Sequence, residues 1–265
     1  MVVQIGKYVL NERLGLGSYG DVWKAQCRFT GKLVAIKISR LDTHDTLLYE
    51  SKVMNYLHGG KGIVTMQSSG KLADGRHYLV MEMLGPSLGD ITEILKESEV
   101  KKLGTDMLDI IQSMHLKGMV HRDIKPDNFL FSKDGTLRIA DYGFCKLYRC
   151  GDGSHKPLSD RGTPVGSPMY MSIDVHRGRD VGRKDDLESL CYVLLSLLNG
   201  VLPWRRVIDE GRSSNISCVK EGMSPRDIAG TAVWLGSMLK YIRELSYDSD
   251  PNYALVRQFL EQHSS

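Results

Sequence analysis

At 265 residues, 42% apolar and 25% charged, the chain has the balance of a globular protein, which argues against disordered and fibrous classes. A net charge of +3 is too small to mark a nucleic-acid surface unless it clusters, and no run approaches the roughly 20 apolar residues of a membrane helix. The cysteines Cys27, Cys145, Cys150, Cys191 and Cys218 show no CxxC pair or zinc spacing, so they read as reduced thiols of a cytoplasmic or nuclear protein.

The first residues, MVVQIGKYVLNERL, carry charges and alternate like a strand, unlike a secretory leader. From Tyr8 to about Val80 the pattern is mostly strands: YVLNERL, DVWKAQC and LVAIKI are short, rich in β-branched or aromatic residues, and bounded by glycine turns. One helix interrupts them. In THDTLLYESKVMNYLHGG the residues Leu47, Leu48, Val53, Met54 and Leu57 recur at helical spacing, and Gly59 and Gly60 close the run. After GPSL at 85–88 helical periods dominate, over Ile91 to Leu95, Val100 to Leu116, Leu187 to Leu198 and Ala232 to Leu245. Two short strands, NFLFS and LRIAD, flank the turn Lys133-Asp134-Gly135. The pattern predicts an α+β chain with a small strand-rich lobe over residues 1–84 and a larger helical lobe over 85–265.

Within the first lobe, Gly15-Leu16-Gly17-Ser18-Tyr19-Gly20-Asp21-Val22 reads GxGxxGxV between two predicted strands. Glycine there lets backbone N–H groups approach phosphate oxygens without a Cβ in the way, although taken alone such a segment is more often just a hairpin turn. A dinucleotide-binding turn would need a helix opening at the last glycine, and DVWKAQC is strand-like. Next, Val34-Ala35-Ile36-Lys37 ends an apolar strand in a lysine. A buried ammonium needs a counter-charge, for which Glu50 on the following helix is the candidate; otherwise Lys37 snorkels to solvent.

The stretch His121-Arg122-Asp123-Ile124-Lys125-Pro126-Asp127-Asn128-Phe129-Leu130, with Asp141-Tyr142-Gly143 downstream, carries more chemistry than any other part of the chain. Phosphoryl transfer needs an acceptor to orient the attacking hydroxyl, a cation to hold the moving group, and oxygen ligands for a divalent metal. Asp123, Lys125, Asn128 and Asp141 are residue types that supply those functions.

With these motifs in this order, the sequence resembles a eukaryotic protein kinase over essentially its whole length, residues 1–265. The resemblance implies a bilobal fold: a small β-sheet N-lobe with one main helix, and a larger, mostly helical C-lobe. It implies Asp123 as catalytic base, Lys125 as the γ-phosphate contact, Asn128 and Asp141 as Mg²⁺ ligands, and Lys37 with Glu50 as the ion pair of the active state. ATP would sit on Leu14, Gly15, Gly17, Ser18, Gly20, Val22, Ala35 and Leu130, with Met81 at the back, Glu82 and Leu84 offering backbone bonds to adenine, and Asp90 at the ribose. Lysine in KPDN is the serine/threonine pattern. LGPSL at 84–88, SID at 172–174, RKDDLESL at 183–190, LPW at 202–204 and YDSDPNYALVRQF at 247–259 further resemble the casein kinase 1 group, and the DYG variant resembles its relatives, the vaccinia-related kinases.

The resemblance to that group implies a non-specific serine/threonine protein kinase, a monomer acting on protein substrates; the mild charge without interleaved aromatics and the lack of a long apolar run argue against nucleic-acid and membrane partners. Arg179, Arg183 and Lys184 would hold an anion and so favour acidic or pre-phosphorylated substrates. Asp186 resembles an aspartate that braces the catalytic loop, and Ser167 a hydroxyl that touches Asp123 and Lys125. The chain departs from the pattern at Tyr142, where the usual phenylalanine gains a hydroxyl that needs a partner once buried. It departs also at Cys191 in place of glycine, and in a shorter, less basic segment after LPW. Rival classes are a catalytically dead binding module, a small-molecule or lipid kinase, and a nucleic-acid binder; the first would lack one of Lys37, Asp123, Asn128 or Asp141, all of which are present.

Overall fold

The structure, a computed structural model, describes residues 4–17, 20–40, 46–159, 163–212 and 216–262. By internal packing the chain divides into two units: one runs to Pro86 and takes in Leu130–Gly143, and the other comprises Ser87–Phe129 and the chain from Phe144 onward. The sequence places a single division at 84/85; the structure adds a later hairpin to the first unit, for reasons given below.

The first unit is built on six antiparallel strands: β1 (Gln4–Ile5), β2 (Tyr8–Gly17), β3 (Gly20–Cys27), β4 (Leu33–Ser39), β5 (Met66–Lys71) and β6 (His77–Glu82), in the order β1-β2-β3-β4-β6-β5. One face closes over Ile5, Tyr8, Ala25, Cys27, Val34, Ile36, Ile38 and Val80. Register shifts between Leu10 and Glu12 and between Arg13 and Gly15 put irregularities into β2 that sharpen its twist. Gly20 is obligatory for closeness: a Cβ there would lie 2.3 Å from the Ile38 carbonyl oxygen.

Helix α1 (Thr46–Leu57) covers the other face against β4, β5 and β6. Its inward row is Leu47, Glu50, Met54 and Leu57, spaced by three or four residues, so a carboxylate stands in an otherwise apolar stripe. Full burial of each of the three apolar members contributes roughly 1.5–3 kcal/mol, which leaves α1 well anchored despite the charged residue among them.

Strands β8 (Phe129–Phe131) and β9 (Leu137–Ile139) form the late hairpin, turned at Gly135 with φ 79°. Backbone bonds tie it to the first unit: Gly85 N–H to Phe131 O at 2.7 Å, Phe131 N–H to Pro86 O at 2.9 Å, and Ile139 N–H to Gly62 O at 2.8 Å. Those three bonds are why residues distant in sequence join the sheet unit.

The second unit is helical. Helix α2 (Glu97–Leu116) packs on α4 (Arg183–Asn199) and α9 (Tyr253–Glu261), and α8 (Val233–Arg243) packs on α4 and α9. Shorter helices are α3 (Ile173–His176), α5 (Arg205–Asp209), α6 (Ile216–Gly222) and α7 (Pro225–Ala229), and a two-stranded pair joins β7 (Met119–Val120) to β10 (Lys146–Leu147). Two expectations are corrected here. Ile91 to Leu95 is not helical, because the Lys96 N–H is taken by the Glu99 carboxylate at 2.9 Å and the helix starts at Glu97; Leu95 N–H instead reaches Leu197 O at 3.2 Å. Five residues outside that start cannot repay helix nucleation. Helix α9, which periodicity did not single out, is started by Asn252, whose side-chain oxygen accepts the Leu255 N–H at 3.0 Å. Among the described residues no helix is long and apolar enough to cross a membrane.

Candidate active site

In the first unit Lys37 comes off β4, opposite Val22 on β3 and Leu79 on β6. Its ammonium lies 2.7 Å from Glu50 Oε2 and 3.1 Å from Asp141 Oδ1, with Lys37 and Glu50 both buried. Burial alone would draw the Lys37 pKa down; the charges of Glu50 and Asp141 outweigh it and hold the ammonium above its ordinary value. For Glu50, burial and the Asp141 charge push the carboxyl up while Lys37 pulls it down. The 2.7 Å contact to a firmly charged lysine makes the ion pair the resting state. The snorkelling alternative for Lys37 is thereby excluded.

Asp141 follows β9 and has φ 64°, the left-handed region that glycine adopts freely and aspartate less readily. Tyr142, fully buried, begins the 3-10 turn Tyr142–Phe144. Its hydroxyl donates to Ile139 O at 2.5 Å and accepts the Val64 N–H at 2.9 Å. The buried hydroxyl therefore has both partners, and it fastens the turn beside Asp141 to the backbone beyond α1. A Tyr142→Phe variant leaves the Val64 N–H without its acceptor in a buried place. It is expected to lose about 1–3 kcal/mol of stability, measured by urea denaturation; an unchanged midpoint would show that water replaces the bond.

The second cluster lies in the second unit. Asp123 is buried; its Oδ1 accepts the Ser167 N–H at 2.8 Å, and its Oδ2 lies 2.8 Å from Lys125 Nζ and 3.2 Å from Asn128 Nδ2. Asn128 Nδ2 also donates to the Asp123 carbonyl at 2.8 Å, which commits the amide nitrogen and fixes the orientation of its oxygen. Lys125 Nζ also reaches Ser167 Oγ at 3.2 Å. Gly166 permits the approach of Ser167: its φ is +106°, and a Cβ would lie 2.4 Å from the Arg122 carbonyl oxygen.

This loop is braced from below. Asp186, buried in the first turn of α4, accepts the N–H groups of His121 at 2.8 Å and Arg122 at 2.9 Å and meets His115 Nε2 at 3.0 Å. Burial would raise its pKa; the His115 contact and the His121 amide hold it below the usual range, so it stays an acceptor. Arg122, whose side chain donates to Phe144 O, has φ 72°. With Asp141 it makes up the non-glycine residues of positive φ among those described. Such strain costs about 1–3 kcal/mol per residue and concentrates at functional sites.

The family model for the protein kinase domain matches residues 8–262. The chain belongs to the protein kinase family. It is therefore a phosphotransferase of α+β fold that acts on protein substrates and uses ATP with a divalent metal. Carboxylate and amide oxygens are ligand types that hard cations take, and Asp141 in the first unit and Asn128 in the second each carry one.

Other expected ATP residues of the kinase are placed as follows. Ala35 is buried, Val22, Met81, Glu82, Leu84 and Leu130 are half-buried, and Leu14 is exposed. Gly15 pairs with Val22 and Gly17 with Gly20 in the β2–β3 ladder, while Ser18 lies outside the described residues. The Glu82 N–H is taken by Thr65 O at 3.0 Å, so any backbone bond from Glu82 to adenine would have to come from its carbonyl. Asp90 belongs to the second unit, where its carboxylate caps Ser87 N–H at 2.7 Å, a bond that lowers its pKa.

Arg179, Arg183 and Lys184 do not form an open basic patch. Arg179 and Lys184 both pair with Asp174, while Arg183 meets Asp250 at 2.6 Å and lies over the Tyr148 ring at 4.7 Å. An incoming phosphate would compete with Asp174 and Asp250 for the same charges. The fold also brings in residues that the motif reading did not assign: Glu188, Tyr192, Trp204 and Lys220, all buried beneath the segment after Ser167. Their only signal was LPW and the charged start of DDLESL, and nothing local marks Lys220 on its short helix.

Proposed function

We propose that this kinase transfers the γ-phosphoryl group of Mg·ATP to serine and threonine side chains of proteins, as a member of the casein kinase 1 group. The observation that carries the reading is Lys125, whose ammonium stands 2.8 Å from Asp123 and 3.2 Å from the Ser167 hydroxyl. A lysine two positions after the base is the serine/threonine pattern, and its contacts with Asp123 and Ser167 support that reading. LGPSL, SID, RKDDLESL and LPW support the narrower group.

In the reaction, Asp123 accepts the proton of the attacking hydroxyl as the oxygen–phosphorus bond forms and the bond to the β-phosphate oxygen breaks. The Ser167 N–H and Lys125 hold the Asp123 carboxylate in one orientation, and Lys125 offsets charge on the moving group. Lys37, fixed by Glu50, would meet the α- and β-phosphates. Asn128 and Asp141 would offer the oxygen ligands for Mg²⁺, which would supply positive charge against that developing on the phosphate. Catalysis then rests on positioning and charge neutralisation, with no covalent enzyme intermediate.

The test is transfer from γ-labelled ATP to dephosphorylated casein, followed by acid hydrolysis and separation of the phosphoamino acids. Label is expected on serine and threonine, lost with chelator and restored by Mg²⁺. Label confined to tyrosine, or transfer that survives chelation, would overturn the assignment.

A further inference from the structure

Lys220 is a lysine with no exposed surface on α6, a helix that contributes nothing to the two clusters above. Its Nζ donates to Met171 O at 2.6 Å and to Pro168 O at 3.1 Å. The same nitrogen lies 4.7 Å from the ring centres of both Tyr192 and Trp204, which meet edge to face. Trp204 Nε1 donates to Met169 O at 2.7 Å. Three carbonyls of one short segment are thus held from below by one ammonium and one indole.

That segment begins at Ser167, whose N–H is bonded to Asp123 and whose hydroxyl meets Lys125. Inside it, the N–H groups of Tyr170 and Met171 both return to Ser167 O at 2.9 Å. The segment is a single stiff turn with Asp123 at one end and the Lys220–Trp204 pair beneath the other. Because the turn starts at the residue bonded to Asp123 and in contact with Lys125, its position bears directly on how a hydroxyl-bearing chain can approach Asp123.

We propose that Lys220, with Trp204, is a positioning residue for the protein substrate: it sets the height and angle of the 167–171 turn on which the acceptor chain lies. This rests on the reading of Asp123 as the base. Around the nitrogen, Glu188 on α4, Arg243 on α8 and His176 on α3 are the facing charged or titratable groups, with Tyr192 below. Burial draws the Lys220 pKa down to about 7, with Glu188 pulling the other way. In either protonation state the nitrogen keeps at least two N–H donors, the number of carbonyls it serves, so the anchor persists across neutral pH.

The experiment is steady-state kinetics of Lys220→Met, which keeps the length and apolar stem but supplies no donor, with casein and ATP varied in turn. KM for casein is expected to rise at least about fivefold while KM for ATP moves less than about twofold. If the variant does not fold by circular dichroism, Trp204→Phe decides: it removes the bond to Met169 and part of the buried ring system while keeping a ring against Tyr192, and the same split is expected. An unchanged casein KM, or both KM values rising together, would overturn the proposal. Failure of the base assignment would appear separately, as unimpaired kcat in an Asp123 variant, without touching this ratio.

Discussion

An Asp123→Asn enzyme is expected to lose roughly two to three orders of magnitude in kcat, about 3–4 kcal/mol in the chemical step. The geometry gives two reasons. A neutral amide cannot take the hydroxyl proton, and the substitution turns an NH₂ group toward donors: Asp123 Oδ2 now receives Lys125 and Asn128, and Oδ1 receives the Ser167 N–H. The amide oxygen can serve only one of those sides, so Lys125 or Ser167 loses its acceptor and the loop is less well fixed. Quench-flow or steady-state transfer to casein measures the loss, and circular dichroism separates it from unfolding. Retention of near wild-type kcat would remove Asp123 from the chemistry.

The second large effect is expected at Lys37. Removing one partner of a buried ion pair leaves an uncompensated charge, which costs about 3–5 kcal/mol. Lys37→Met leaves Glu50 beside Asp141 with no cation within the pair, so stability is expected to fall by that order, and on the role proposed for Lys37 transfer is expected to be lost as well. The pH dependence has a definite sign. In the variant the folded Glu50 pKa stands above its unfolded value, raised by burial and by Asp141 without Lys37 to oppose them. The folded state then binds more protons than the unfolded one, and stability falls as pH rises from the unfolded carboxyl range through the folded pKa. The variant's deficit against wild type should therefore shrink on acidification. A Lys37→Met, Glu50→Gln double variant should recover much of the stability and none of the activity, as read by thermal unfolding and casein labelling. Equal stability of single variant and wild type at neutral pH would mean that the pair carries no net weight.

Much of this was legible in the chain. The strands up to Val80 and the helix carrying Glu50 follow from spacing and residue type, because each depends on neighbours a few positions away, whereas the roles given to Asp123, Lys125, Asn128 and Asp141 come from the resemblance of their motifs to the protein kinase family. The missing helix over Ile91 to Leu95 shows the limit of periodicity: apolar residues can recur at helical spacing and still be claimed by a tertiary bond such as Leu95 to Leu197. The basic residues Arg179, Arg183 and Lys184 show another, since composition counts their charges but not the Asp174 and Asp250 carboxylates that meet them.

By itself the sequence determined which residue types were available for phosphoryl transfer and in what local order, since glycine turns, alternating strands and motif spacing are short-range properties. The tertiary structure alone decided that Lys37 is charged and paired rather than solvated, that the Tyr142 hydroxyl is satisfied by Ile139 and Val64, and that Lys220 lies under the Ser167 turn. The physical reason is common to all three: what a buried polar group costs or contributes depends on partners tens of residues away, and only chain folding places them within about 3 Å of one another.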